Sequence, residues 1–503
     1  MANRKRDSLA KALEALKKLQ DAGSCFAIKG AETLGTANTK TLLENGFLEE
    51  VIRGWYIPST PAYAGTTVTW YASFWGFVAA YCRSRFGEDW VLTPEESLSV
   101  WGGVNIISEQ VVVQAKHGSN SVQRLKHGTS IFNFTTRIPG RIVKEPVYGL
   151  NVYPLDVALL RCSPDFFLNH SEEVRACLNS LEAGESLRAA VVDFGGEAYA
   201  NRLIGALRAV GRDEIADRVF TIQEECGRKV VPMNPFERTF ERIYLPERSP
   251  SAARIRMMWA KMREMVLAIS PVDESIMKPD ADSVLKEIDA EYVADSYHSL
   301  SIEGYKVTKE LIRKIRAGEW NPEDDSEDGD RRNALAASGY YRAYRKVREA
   351  VARILGGAPA GEVIAEELET WHRELFMPCV DAGLMSIGDL SGYRRTQVYI
   401  AGSRYTPPSA VKVPDAMDAF LDLLRTESEP LVRAILGHFF FVHIHPYADG
   451  NGRSARFIMN AALVSAGFGW KVIPVERRQE YMAALETASI EGDVRSFARF
   501  VIG

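Results

Sequence analysis

Residues 445–456 read HPYADGNGRSAR, and this stretch decides the fold of the C-terminal part of the chain. The preceding segment, LVRAILGHFFFV at residues 431–442, has a helical pattern. Pro446 cannot continue that helix because it lacks an N–H group and fixes its own φ. Glycines mark the start of a second helix at Gly452. The sequence therefore predicts a helix, a loop over residues 445–451, and a second helix.

The loop brings together residue types that suit phosphate chemistry. Glycines at the N-terminus of a helix let backbone N–H groups approach an anion, and the helix dipole favours negative charge there. Guanidinium groups such as those of Arg453 and Arg456 match phosphate oxygens. Asp449 offers the carboxylate oxygen that Mg²⁺ prefers, and His445 can take a proton near neutral pH. The combination predicts phosphoryl or nucleotidyl transfer.

Simpler interpretations of these residues remain as alternatives. A histidine before a proline is often structural, and Gly-Asn-Gly is often only a turn. A zinc site made from His443 and His445 would lack a third clustered ligand. The sequence contains no G-x-x-x-x-G-K-[ST] loop, and GNGRSA lacks the third glycine of a dinucleotide-binding fingerprint. A phosphate-binding loop of another kind is therefore the favoured hypothesis.

The stretch resembles the signature of the Fic family, which reads His-Pro-Phe, any residue, Asp or Glu, Gly-Asn-Gly-Arg, two residues and Arg. Tyr447 replaces the phenylalanine, and the likeness runs from about Lys286 to Gly503. The resemblance implies an all-α domain that uses Mg²⁺ and transfers AMP from ATP to a Ser, Thr or Tyr hydroxyl of a target protein or of the chain itself. It implies that His445 is the general base and that Asp449 holds the metal. It implies that Tyr481 lines the adenine pocket. The residues that it implies for the phosphates are Gly450, Asn451, Gly452, Arg453 and Arg456.

Residues 392–408, GYRRTQVYIAGSRYTPP, resemble a second Fic element, the β-hairpin flap that pairs with a target peptide. TQVYIAG also reads as a short strand among helices, and an unpaired strand edge is a natural place for a peptide to add. The likeness places Val398, Tyr399 and Ile400 on the target-binding strand. Plain packing of an isolated strand is the alternative.

Residues 295–310, DSYHSLSIEGYKVTKE, resemble the inhibitory helix of the same family. Ser299 and Glu303 occupy its characteristic positions. The resemblance implies that Glu303 pairs with Arg456 and prevents productive placement of the γ-phosphate, since a carboxylate competes with phosphate for one guanidinium. Glu303 could also orient a water molecule that removes AMP again. An ordinary surface glutamate in a helix is the alternative.

Residues 1–58 predict a winged helix-turn-helix, with a basic amphipathic first helix, two further helices and two short strands. This order of elements resembles the N-terminal region of AbiEi-type antitoxins, bacterial transcriptional regulators of toxin systems. In DNA-binding proteins of this shape the third helix enters the major groove. The residues expected to contact DNA are Asn38, Thr39, Lys40 and Arg53. A protein-interaction module is the alternative.

The composition of the whole chain predicts a multi-domain, mainly α protein. Its 503 residues are 46% hydrophobic and 25% charged, and a net charge of −5 means that any DNA binding must come from a local patch. The six cysteines form no C-x-x-C pair, and no apolar run is long enough to span a bilayer, so we expect reduced thiols, a cytoplasmic location and no membrane partner. The predicted domains are 1–58, an α+β AbiEi-like domain at 59–245, a helical linker region at 246–345 with the inhibitory helix near 291–305, and a Fic core at 346–503.

Two functional hypotheses follow. The first is a protein adenylyltransferase, inhibited by its own Glu303, that carries a DNA-binding N-terminal region and forms a homo-oligomer. The second is a transcriptional regulator or antitoxin-like protein whose Fic domain senses nucleotide or modifies itself. An enzyme of the same fold that uses another nucleotide donor is a near neighbour of the first.

Overall fold

The computed structural model describes residues 2–21, 27–103, 106–138, 140–236, 249–269, 280–320 and 328–503. Helices dominate these residues, as the sequence predicts. The expected domain boundary at residues 245–246 lies outside them. The chain forms two compact units, one made of residues 1–254 and 398–406 and the other of residues 255–397 and 407–503.

The first unit begins with three helices and a small sheet. Its elements are α1 (Ala2–Asp21), β1 (Ile28–Lys29), α2 (Gly30–Thr33), α3 (Thr36–Glu44), β2 (Leu48–Ile52) and β3 (Trp55–Pro58). The antiparallel sheet has the order β1-β3-β2. A compact apolar cluster beneath it includes Ala12 and Leu16 of α1 and Leu42 of α3. The buried stripe of α1 explains why its leucines recur at helical spacing.

The middle of the first unit combines strands and helices. Its elements are α4 (Thr67–Phe86), β4 (Trp90–Leu92), α5 (Pro94–Trp101), β5 (Gln110–Ala115), β6 (Ser121–Arg124), β7 (Ser130–Thr135), β8 (Val143–Lys144) and β9 (Asn151–Val152). The main sheet has the order β4-β5-β7-β6, in which only β5 and β7 are parallel. Alternating burial along β5 and β7 places one face of the sheet on the core, which includes Trp70 and Phe74 of α4.

The remaining helices of the first unit pack around a separate apolar core. They are α6 (Leu155–Arg161), α7 (Pro164–Asn169), α8 (Ser171–Ser180), α9 (Glu185–Phe194), α10 (Glu197–Ala209) and α11 (Asp213–Glu225). The core is rich in aliphatic side chains such as Leu160, Leu178 and Leu203. These helices and the preceding sheet together give the mixed α and β character expected for residues 59–245.

The second unit is helical. Its helices are α12 (Pro250–Leu267), α13 (Ala281–Ile302), α14 (Lys309–Ala317), α15 (Asp328–Leu355), α16 (Ala360–Asp381), α17 (Val413–Thr426), α18 (Pro430–Ile444), α19 (Asn451–Ser465), α20 (Arg478–Glu491) and α21 (Arg495–Ile502), of which α12 begins within the first unit. Nearly every residue of α18 and α19 is buried. These two helices therefore form the centre of the unit, and the loop between them is held on both sides by core packing.

The structure does not contain the β-hairpin flap that was predicted at residues 392–408. Residues 392–408 contain no strand pair, and their one bridge joins Tyr405 to Ile106. Pro407 and Pro408 cannot donate to a ladder, and the main chain of this segment bonds to other parts of the protein instead. Within the described ranges, no helix is both long and apolar enough to cross a membrane.

Candidate active site

The loop between α18 and α19 has the backbone that its sequence dictates. His445 follows the last residue of α18 with φ of 52°, a left-handed conformation that is uncommon outside glycine. Its N–H still donates to Phe441 O (2.9 Å), but Pro446 ends the helix. Gly450, also left-handed at φ of 87°, precedes α19. The second helix begins at Asn451, one residue before the predicted start.

His445 is poised to accept a proton. Its Nδ1 lies 3.3 Å from Val442 O, which assigns the ring proton to Nδ1 and leaves Nε2 as an acceptor. The pKa of His445 is lowered to about 4, mainly because burial disfavours the charged ring and also because the Arg394 charge lies close. The imidazole is therefore neutral at pH 7, the form required of a general base.

Asp449 and Arg453 form an ion pair at the start of α19. Asp449 Oδ1 accepts hydrogen bonds from Gly450 N (2.6 Å) and Arg453 Nη2 (3.1 Å). The Arg453 side chain is 1% exposed, whereas that of Asp449 is 58% exposed. The guanidinium packs over the rings of Tyr305 and Phe376. A buried cation thus holds a solvent-facing carboxylate at the positive end of a helix.

The carboxylate of Asp449 suits magnesium bound with a nucleotide. Mg²⁺ usually keeps several waters and uses one or two carboxylates together with substrate phosphates. Within the described ranges, no group of three His, Cys, Asp or Glu side chains could form a metal cage by itself. The exposed Asp449 carboxylate could serve as a single protein ligand of an ion that is held mainly by phosphate and water.

Other side chains approach Gly450 and Gly452 so closely that neither position has room for a Cβ atom. A Cβ at Gly452 would lie 2.2 Å from Glu303 Oε1 and 3.2 Å from Arg456 Nη1. A Cβ at Gly450 would lie 2.8 Å from Phe376 Cε2. The amides at this helix start are therefore approachable in a way that larger residues would prevent.

Asn451 holds the loop together. It is 1% exposed, its Oδ1 accepts from Tyr447 N (3.0 Å), and its Nδ2 donates to Tyr447 O (2.8 Å). Both ends of the amide are thus engaged with the loop backbone. Any contact of Asn451 with a phosphate would have to come from its main-chain N–H.

The structure brings together Arg456, Ser299 and Glu303. Arg456 Nη2 lies 2.8 Å from Glu303 Oε1, and its Nε donates to Ser299 Oγ (2.9 Å). The same Nη2 donates to Ser299 O (3.1 Å). Although burial alone would lower the pKa of Arg456, the Glu303 carboxylate raises it above its usual value. Nη1 is buried without a hydrogen-bond partner among the described residues. The guanidinium therefore has unused capacity for an anion.

The end of α13 sets the position of Glu303. This helix ends at Ile302, and Glu303 is the residue that caps it. Ser299 lies one turn earlier and is 2% exposed, and Asp295, another turn earlier, accepts a hydrogen bond from Tyr340 OH (2.5 Å). Residues four apart lie on one helix face. One face of α13 and its cap therefore carries Asp295, Ser299 and Glu303, of which the first two are buried.

Sequence reasoning missed His372, which supports the loop from α16. Its ring stacks on Tyr447 with centroids 3.6 Å apart, and its Nε2 lies 3.0 Å from Asp449 O. Burial lowers the pKa of His372 to about 4, so the ring is neutral and donates from Nε2 to the carbonyl. A histidine among the apolar residues Trp371, Leu375 and Phe376 was the available signal.

Tyr481, predicted for an adenine pocket, is a buried side chain close to Arg456 and Glu303. It is 1% exposed, and its hydroxyl is hydrogen-bonded to His438 Nε2 (2.8 Å). The rings of Phe497 and Phe500 pack against it. A contact of Tyr481 with adenine stays a prediction, because an aromatic residue on an amphipathic helix suits a core position as well as a ligand pocket.

The predicted flap residues lie in the first unit. Tyr399 OH donates to Ala72 O (3.3 Å) and Gly402 N to Thr67 Oγ1 (3.0 Å). Ile107 N donates to Arg404 O (3.0 Å). Val398 and Ile400 belong to the same short stretch. These residues are thus part of the fold of the first unit.

The four residues expected at DNA lie on α3 and in the turn after β2, but they differ in exposure. Thr39 is 6% exposed and donates to Gly35 O, so it cannot reach a base edge and the prediction for it was wrong. Asn38 is half-buried and donates to Leu34 O (3.0 Å). Lys40 and Arg53 are exposed. The buried face of α3 accounts for the difference, because every third or fourth residue must pack inward.

Comparison with known proteins bears on the second unit. The Fic/DOC family model matches residues 363–463. The chain is 31% identical over 229 residues to the protein adenylyltransferase Fic of Drosophila willistoni, covering 44% of this chain and 42% of that protein. It is 41% identical over 112 residues to the protein adenylyltransferase fic-1 of Caenorhabditis elegans, covering 22% of each. The chain thus spans less than half the length of these curated relatives.

A solved structure of Fic-1, residues 134–508, from C. elegans aligns with 66% of this chain and 83% of that one. The sequence identity is 20% and the TM-score 0.35, so this alignment adds no weight to the assignment. The family match rests on the segment that holds the loop described above. Residues 363–463 of this chain, which contain His445, Asp449, Arg453 and Arg456, match the model of the Fic/DOC family.

Proposed function

We propose that this chain is a protein adenylyltransferase that transfers AMP from ATP to the hydroxyl group of a Ser, Thr or Tyr residue in a target protein or in itself. One observation carries the proposal. A neutral His445, an exposed Asp449 and a buried Arg456 surround the glycine-lined N-terminus of α19. The names of the curated relatives support the same reaction.

The residues of the candidate site have different roles in this proposed reaction. Nε2 of His445 takes the proton of the target hydroxyl. The hydroxyl oxygen then forms a bond to the α-phosphorus of ATP, and the bond from that phosphorus to the oxygen of the leaving pyrophosphate breaks. The N–H groups at the start of α19, together with Arg453, offset the negative charge on the phosphates. Magnesium held by Asp449 would neutralise phosphate charge when bound.

Glu303 would inhibit this reaction within the chain. Its carboxylate uses Nη2 of Arg456, the guanidinium that we assign to the γ-phosphate. Two anions cannot share that position without strong repulsion. ATP must therefore displace Glu303 or bind with its phosphates misplaced. The same carboxylate could direct a water molecule in the reverse reaction.

The test uses α-labelled ATP and Mg²⁺ with purified wild type, Glu303→Gly and the double variant Glu303→Gly/His445→Ala. We expect strong incorporation of label into protein only with Glu303→Gly. Equal labelling by the double variant would remove His445 from the mechanism. If no variant incorporates label from ATP, GTP, UTP or CTP, the transferase proposal is wrong and a nucleotide-sensing regulator replaces it.

A second proposal concerns residues 1–58. Three helices followed by the β2–β3 pair, with Lys40 and Arg53 exposed, support a winged helix-turn-helix that binds DNA. Reversing both charges with Lys40→Glu/Arg53→Glu should abolish salt-dependent retention of the full-length chain on duplex DNA. The matched control, Lys116→Glu/Lys144→Glu, reverses two exposed lysines elsewhere in the first unit. Retention that is unchanged by Lys40→Glu/Arg53→Glu would disprove the proposal.

A further inference from the structure

Arg394 contacts two consecutive carbonyl groups at the start of the loop that carries His445. Its Nε donates to His445 O (2.8 Å), and its own main-chain N–H donates to Pro446 O (2.9 Å). The side chain also donates to Thr396 O (2.9 Å) from Nη1 and to Pro408 O from Nη2. One residue thus joins three separate stretches of the second unit.

These contacts matter because His445 has an uncommon backbone. A non-glycine residue in the left-handed region persists only where its surroundings fix it. Leaving α18 at φ of 52° turns the carbonyl of His445 away from the helix ladder, and that carbonyl then needs another donor. Arg394 supplies this donor from a position that is only 6% exposed.

We propose that Arg394 is the positioning residue for His445, which it holds in the orientation needed to take a proton from the target hydroxyl. This inference rests on the proposed transferase function. The contacts of this side chain require arginine, because a planar guanidinium can donate to three carbonyl groups in fixed directions. A lysine ammonium is a single charged group at the end of a flexible chain.

The charge of Arg394 has a second effect on the same side chain. It favours neutral imidazole and so lowers the pKa of His445, while Glu303, Asp449 and the hydrogen bond to Val442 O act in the opposite direction. Arg394→Lys should keep much of the charge effect and lose the orientation. Arg394→Gln should lose both.

The experiment places Arg394→Lys and Arg394→Gln in the full-length Glu303→Gly chain. We expect kcat for AMP transfer to fall by about 10²-fold in both variants, because small misplacement of a reacting group has effects of that size. KM for ATP and the dissociation constant of ATP should stay within about twofold, since Arg394 has no assigned contact with the nucleotide.

Arg433→Lys is the matched control. Arg433 is also a buried arginine of this unit, 9% exposed, and donates to the main-chain carbonyls of Leu424 and Glu427 near the opposite end of α18. We expect its substitution to lower the unfolding temperature without changing kcat of the folded protein. An equal loss of kcat in this control, or a loss of ATP affinity in step with kcat in the Arg394 variants, would assign Arg394 a merely structural role.

A second measurement does not depend on transferase activity. In ¹⁵N-histidine-labelled protein, the His445 ring resonances report its tautomer and its pKa. Arg394→Gln should raise the pKa of His445 and mix the two tautomers, whereas Arg394→Lys should mainly mix the tautomers. Unchanged resonances in both variants would overturn the inference even if the parent proves to have no transferase activity.

Discussion

The carboxylate of Glu303 lies 2.8 Å from Nη2 of Arg456, although 153 residues separate the two in the chain. The Arg456 side chain is 3% exposed and that of Glu303 is 27% exposed. An unpaired buried guanidinium has a large desolvation cost, so removal of Glu303 should make binding of another anion at Arg456 more favourable. We expect the γ-phosphate of ATP to be the anion that binds there.

Replacing Glu303 with glutamine should therefore strengthen ATP binding. Hydrogen bonds between charged groups contribute about 1.5–3 kcal/mol, which corresponds to a tenfold or larger fall in the dissociation constant. Titration calorimetry with ATP measures it. Glu310→Gln, which removes an exposed carboxylate paired with Arg313, is the control. Equal affinities for Glu303→Gln and wild type would show that the two anions do not compete.

In the Glu303→Gly background, Gly452→Ala should weaken ATP binding at least about tenfold. The new methyl group would lie 3.2 Å from Arg456 Nη1 and narrow the space at the start of α19. Such overpacking also costs about 1–3 kcal/mol of the free energy of unfolding. Calorimetry and chemical denaturation measure the two effects. The control is Gly388→Ala, whose nearest neighbour would be Ser386 Oγ at 3.4 Å. Unimpaired ATP binding by Gly452→Ala would contradict the assigned cradle.

The transfer rate should hardly depend on the protonation of His445 between pH 6 and 8. Its pKa is lowered to about 4, so the base is already neutral across this range and becomes protonated only below about pH 5. A free imidazole near pH 6.5 would give a falling rate within the same range. The measurement is kcat/KM against pH for Glu303→Gly. A rate that falls with an apparent pKa near 6.5 would refute a buried neutral base.

His372 should make stability depend on pH. Its pKa is about 4 in the folded chain and about 6.5 when unfolded, so the unfolded state binds the extra proton first as pH falls. Neutral His372 makes its full contribution to the free energy of unfolding above pH 6.5. That contribution decreases by at most about 3 kcal/mol as the pH falls from 6.5 to 4.

His372→Phe keeps the ring and removes this titration. The difference in unfolding free energy between it and wild type should shrink as pH falls from 7 to 4.5, and this comparison cancels shared groups such as Asp295, whose pKa is raised to about 6. A difference that stays constant with pH would show that His372 is not buried in the neutral form.

The sequence predicted the loop because its causes are local. Pro446 and the motif glycines act within a few residues, and each restricts the backbone whatever the surroundings. Arg394 lies in a stretch singled out for its strand pattern, but its partners come from distant segments. The burial of Thr39 and Tyr481 was not predicted, because it depends on which helix face packs inward, and sequence pattern alone gives no contact partner. Tertiary packing also replaced the expected hairpin.

Residues 398–406 have a consequence for cutting the chain. The first unit is assembled from two separate stretches, so residues 1–254 alone would leave Ile107 N without the carbonyl of Arg404 and Glu109 without its ion pair to the same residue. A fragment starting at residue 255 would in turn contain a stretch that belongs to a missing fold. Deleting either terminal part therefore disturbs both units. The role of each unit is better assigned by point substitutions in the intact chain.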